Sequence, residues 1–75
     1  MTGMADEERS IRLRLADNVR RLRKERGWSQ EHLADLSTLH RNQISAIERC
    51  TLGTGLDVLE KLARTFGVTA SELLE

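Results

Sequence analysis

Proline and tyrosine are absent from this chain, and cysteine, tryptophan and phenylalanine each occur once. Each shortage closes off a class of protein. A lone cysteine, Cys50, rules out a disulfide framework and points to a reducing, intracellular setting. No apolar run approaches the length of a membrane span or a signal-peptide core, so a cytoplasmic protein with no membrane partner is expected. With only Trp28 and Phe66 as aromatics, stacking of unpaired bases is a poor fit, and both rings read as core. Runs of β-branched residues are missing too, which leaves strands with little support. The net charge is zero, which argues against strong indiscriminate binding to nucleic acid. Seventy-five residues suffice for one domain, and a chain this short buries only about 60% of its unfolded surface.

Charge and helical periodicity are what the chain does have. Residues 9–26 hold eight basic side chains against Asp17 and Glu25, a surplus of six, while the balancing acids sit at the N-terminal tip and in the last third. Such asymmetry suits either a polyanionic partner or a solvated basic helix. Residues 1–8 are small and acidic and are expected to form a flexible tip, within which Met4 serves equally well as a start; residues 9–75 form the domain. Ile11, Leu15, Val19 and Leu22 recur at helical spacing and predict a first helix over residues 8–26, stopped at Gly27. Ser29 is an N-cap for a short second helix over 30–36 carrying Leu33, Ala34 and Leu36. Ile44 and Ile47 mark a third over 40–49. Residues 50–55 form a loop with two glycines. Leu56, Leu59, Leu62, Ala63 and Phe66 mark a fourth helix stopped at Gly67. Thr69-Ala-Ser-Glu72 is a capping-box pattern that opens a fifth. The fold class is therefore all-α, a compact five-helix bundle.

The second and third helices carry the function. Two short helices about three residues apart, the second polar on its outer side, have the helix-turn-helix layout, which lays its second helix in the major groove of DNA. Ala34 is small enough for the close crossing, and Ile44 and Ile47 supply the buried rear. The string LRKERGWSQEHLADLSTLHRNQISAIER, continued by LDVLEKLARTFGVTASELL, resembles the phage-repressor or Cro-like (XRE) helix-turn-helix family over residues 12–74. In size and in Leu39-His-Arg-Asn42 it is similar to small stand-alone regulators, including the controller proteins of restriction–modification systems.

That resemblance implies a lambda-repressor-like fold and a role for each matching position. Arg41, Asn42, Ser45 and Ala46 would face bases: arginine can take guanine O6 and N7 together, and asparagine adenine N6 and N7. Gln30, His40 and Gln43 would contact phosphates and set register. Arg23 would pair with Glu48 and stand near the DNA backbone. The family usually has glycine where this chain has Thr38 and Cys50, so those turns are either strained or differently shaped.

Other chemistries find little footing. His32 and His40 lie eight apart across a turn, Cys50 has no partner at metal-ligand spacing, and the glycines form no phosphate cradle. No enzymatic activity, metal, cofactor or small-molecule ligand is expected. The partners expected are double-stranded DNA and a second copy of the chain, which would pair through Val68, Leu73 and Leu74. The rival reading is an antitoxin-like or adaptor module of the same fold. An adaptor has no use for Arg41 and Asn42 opposite the buried isoleucines.

Overall fold

The computed structural model describes residues 3–51 and 54–75, with side chains from Ile11 onward. Its elements are α1 (Gly3–Glu25), α2 (Gln30–Ser37), α3 (Arg41–Glu48), α4 (Leu56–Phe66) and α5 (Ala70–Leu73). The described residues contain no strand, and no helix among them is long and apolar enough to cross a membrane. Helix α1 begins well before residue 8 and takes in most of the acidic tip. Met1 and Thr2 of that tip, and Leu52 and Gly53 of the 50–55 loop, lie outside the described residues.

One apolar cluster holds the helices together. Leu15 and Val19 of α1 meet Leu33 and Ala34 of α2, Ile44 and Ile47 of α3, Leu62, Ala63 and Phe66 of α4, and Leu73 of α5. Ile11 shares this stripe by its spacing but is exposed. The reason is length. Twenty-three residues make a rod of about 35 Å at 1.5 Å each, whereas the molecule is 22 × 21 Å across its shorter axes. The helix outruns the body that covers it, and its apolar stripe is buried only from Leu15 on.

Four helix ends close with the same pair of hydrogen bonds. Trp28, Leu39, Thr51 and Val68 donate their amides to the carbonyls of Arg23, Ala34, Ala46 and Ala63, at 2.9–3.0 Å. The residue before each donor bonds three positions back: Gly27 to Lys24, Thr38 to Asp35, Cys50 to Ile47 and Gly67 to Arg64. This is the Schellman closure, which requires a left-handed residue at its hinge. Gly27 (φ 70°) and Gly67 (φ 73°) accept that conformation freely. Thr38 and Cys50 adopt it too, each at φ 58°. The turns that lack glycine therefore keep the common shape and are strained.

Left-handed strain of about 1–2 kcal/mol is set against a glycine entropy penalty of about 0.5–1 kcal/mol. Thr38→Gly and Cys50→Gly should thus each stabilise the protein by about 0.5–1 kcal/mol. Urea denaturation should show a raised midpoint with an unchanged slope, and a lowered midpoint would refute the strain.

Candidate nucleic-acid interface

The α2–turn–α3 unit is built from local signals. Ser29 Oγ accepts the His32 amide at 3.0 Å and starts α2. Ala34 is buried at the crossing, and buried Ser37 satisfies its hydroxyl on the Leu33 carbonyl at 2.7 Å. After the left-handed Thr38 the chain runs extended through His40, whose amide donates to Gln43 Oε1 at 3.0 Å. Helix α3 then follows, with Ile44 and Ile47 locked in the core.

Which side chains remain outside follows from 100° per residue. Arg41, Ser45 and Arg49 succeed one another at four-residue steps, and Asn42 lies beside them. Arg41, Asn42 and Arg49 are exposed and Ser45 is half-buried. His40 is exposed at the mouth of the helix. Ala46 does not join this stripe. It is only 6% exposed, and its carbonyl is bonded by both the amide (3.0 Å) and the hydroxyl (3.2 Å) of Thr51. Ala46, expected on the groove floor, thus offers little surface there in the free chain. Arg49 takes its place on the outer stripe; its four-residue spacing from Ser45 and eight from Arg41 is the signal that marks it in the sequence.

Behind the stripe lies a buried carboxylate. Glu48 is 4% exposed and sits on the last residue of α3. Arg23 Nε donates to its Oε2 at 2.7 Å and Arg23 Nη2 to its Oε1 at 3.0 Å, while Gln30 Nε2 donates to Oε1 at 3.1 Å. The structure thus brings Arg23, Gln30 and Glu48 together. A third donor of Arg23, Nη1, bonds the Trp28 carbonyl at 2.8 Å, and the side chain is only 12% exposed. Its guanidinium is turned inward, not toward an outer phosphate rim. Gln30 likewise turns its amide inward, and Gln43 is half-buried with its oxygen at the helix start.

Burial pushes the Glu48 carboxyl up, but the hydrogen bonds from Arg23 and Gln30, with the charges of Arg23 and Arg20, outweigh it and hold it below the ordinary carboxylate range. The Arg23 guanidinium is held above its own usual value, chiefly by the bond to Glu48 and against the effect of burial. No grouping of His, Cys, Asp and Glu among the described residues could hold a metal ion. At the C-terminal edge, Leu73 is fully buried inside its own protomer and is unavailable to a second copy. Val68 and Leu74 are half-buried against the core.

A carboxylate with a depressed folded pKa contributes stability above its unfolded value and loses it as pH falls through the folded one. The unfolding midpoint should therefore drop on acidification below the ordinary carboxylate range, and Glu48→Gln should flatten part of that limb while lowering stability at neutral pH. Glu72, also held low by the Thr69 backbone and hydroxyl, keeps the remainder. A double-mutant cycle on Arg23 and Glu48 should give a coupling of about 1–3 kcal/mol, and a value near zero would show the pair to be idle.

Comparison with known proteins agrees with this geometry. The family model HTH_3, described as Helix-turn-helix, matches residues 19–73. A Neisseria meningitidis protein named as a hypothetical transcription factor is 43% identical over 68 residues, covering 91% of this chain and 64% of the relative. Control protein C.BamHI of Bacillus amyloliquefaciens is 42% identical over 67 residues, covering 88% and 83%. Among solved structures, the restriction-modification controller protein C.AhdI from Aeromonas hydrophila superposes with a TM-score of 0.78 at 34% identity, covering 83% of this chain and 94% of that one. The chain thus spans under two thirds of the Neisseria relative and most of the two controllers.

Proposed function

The chain belongs to the helix-turn-helix family HTH_3, and from that membership we propose that it is a transcriptional regulator of double-stranded DNA. It binds as a homodimer, each protomer laying α3 in the major groove of a pseudo-palindromic site. The observation that carries this reading is the outer stripe of α3. Arg41, Asn42, Ser45 and Arg49 stand on a helix whose opposite side is fixed by Ile44, Ile47 and Glu48. Side chains on so rigid a rod can meet base edges in a defined register. Arg41 addresses guanine and Asn42 adenine, with Ser45 between them as a smaller contact. Arg49 and His40, at the two ends of the stripe, take the phosphates on either side. Gln30 spends its side chain on Glu48, which leaves its backbone amide, at the start of α2, for a phosphate. Gln43 keeps its amide nitrogen for the same rim.

One protomer offers too few base contacts for high selectivity, and two third helices about 34 Å apart would read successive turns of one face of the duplex. The apolar edge of α4 and α5 supports such pairing. Leu56 is 82% exposed, Leu59, Val68 and Leu74 are half-buried beside it, and a groove of about 500 Å³ opens between Leu56 and Ile11.

Selection from a random duplex pool should yield a two-fold-related consensus bound in a salt-dependent manner. Arg41→Ala should weaken binding to it by about 1–3 kcal/mol and relax preference at one position per half-site. Failure to select any consensus, or an unchanged affinity in Arg41→Ala, would favour the adaptor reading. Sedimentation equilibrium should show a dimer that Leu56→Glu converts to monomer, and a monomeric wild type at micromolar concentration would remove the dimer.

A further inference from the structure

Helix ends leave their last carbonyls without partners, and the destination of each at the C-terminus of α3 can be followed. The Ser45 carbonyl accepts the Arg49 amide and the Ile47 carbonyl the Cys50 amide, both at 3.0 Å. Ala46 is bonded twice by Thr51. These three partners come from the chain that immediately follows. The Glu48 carbonyl differs: its donor is Nη2 of Arg20, on α1. The guanidinium is steadied from its other side by Asp17, whose Oδ1 lies 3.5 Å from Arg20 Nη1. Arg20 and Arg23 are three residues apart and share one side of α1, so a single turn of that helix grips Glu48 by its backbone and its carboxylate at once. No basic residue lies within the last turn of α3, and Arg49 just beyond is exposed to solvent. Arg23 is spent on the Glu48 carboxylate, and the further charge meeting the negative end of the α3 dipole is that of Arg20.

We propose that Arg20 is a positioning residue for DNA reading: by holding the Glu48 carbonyl it fixes the last turn of α3, and with it the placement of Ser45 and Arg49 on the duplex. The inference rests on the reading of α3 as the DNA-contacting helix. Arg23 alone cannot do this work. It holds a side chain, whose torsions still let the backbone of the last turn unwind, whereas Arg20 holds the peptide group itself.

The test compares Arg20→Met, which keeps the length of the stem, with Arg20→Lys, which keeps the charge and a donor. Each is measured against the selected duplex and a scrambled one. Arg20→Met should weaken the selected duplex about tenfold and the scrambled one less than about twofold, since one charge-assisted hydrogen bond to the helix end is lost and no phosphate contact. Arg20→Lys should recover most of that loss. Hydrogen exchange should speed up at the amides of Arg49, Cys50 and Thr51 in Arg20→Met. Circular dichroism checks that the variant is folded, and if it is not, Arg20→Lys decides alone: a small loss confined to the selected duplex with faster exchange at Arg49 to Thr51 supports the proposal, and equal losses on both duplexes, or none with unchanged exchange, overturn it. Equal losses on both duplexes would make Arg20 a phosphate ligand and overturn the proposal. Unchanged selectivity with unchanged exchange would also overturn it. Arg41→Ala separates the premise: no loss in that variant removes α3 as the reader, whereas loss there with none in Arg20→Met removes the present inference alone.

Discussion

A carboxylate carried into a protein interior without partners would take up a proton, and Glu48 avoids this by gathering three side-chain hydrogen bonds from two helices. Its position gives those bonds their reach. It stands on the last residue of α3, faces Arg23 of α1, and receives Gln30 from the first residue of α2. Three helices are thus registered to one another at one pair of oxygens, in a domain too small for a deep core to do the same by packing. Apolar contacts between Ile44, Ile47 and the body are non-directional, and they would tolerate a small rotation of α3 about its axis. The fork of Arg23 on the carboxylate, together with the bond of Arg20 to the Glu48 carbonyl, resists it. On the proposed reading of α3, rotation is the error least easily accommodated, since a few tens of degrees would carry Arg41 and Asn42 off the base edges.

The connections obey a similar economy. Three of the Schellman turns place an apolar residue, Trp28, Leu39 or Val68, directly after the left-handed hinge, and each of these packs on the central cluster. A helix stop therefore also contributes to the core. Where the hinge is Thr38 or Cys50 the geometry persists against the local preference of the residue, which means tertiary packing dictates those turns and local sequence does not.

Much of this was legible beforehand, and particular residues show why the rest was not. Ser29, the Thr69–Glu72 box, Gly27 and Gly67 act within four residues of themselves, so their caps and stops could be read directly. Ile44 and Ile47 announced the rear of α3 by their spacing. Ile11 misled because its exposure depends on how far the other helices reach along α1. Ala46 is nearly buried although its neighbours Ser45 and Asn42 are not, and a small apolar residue carries no local mark of which it will be. Leu73 and Leu74 could not be told apart, since a four-residue helix is too short to display a period. Arg20 was invisible as a partner of α3 because what it holds is a backbone carbonyl, and every residue has one of those.

The closure between α1 and α4 has a practical side. The single tryptophan stacks on Phe66 at 5.9 Å with the planes 13° apart, meets His32 edge-on at 5.6 Å, and lies under the Arg26 guanidinium, which also reaches the Phe66 carbonyl. The rings and the cation around that indole belong to the ends of α1, α2 and α4. Helix α3 carries no aromatic side chain to join them. The intrinsic fluorescence of this chain therefore comes from a single indole held where the ends of α1, α2 and α4 meet, and it gauges first of all whether that junction is assembled.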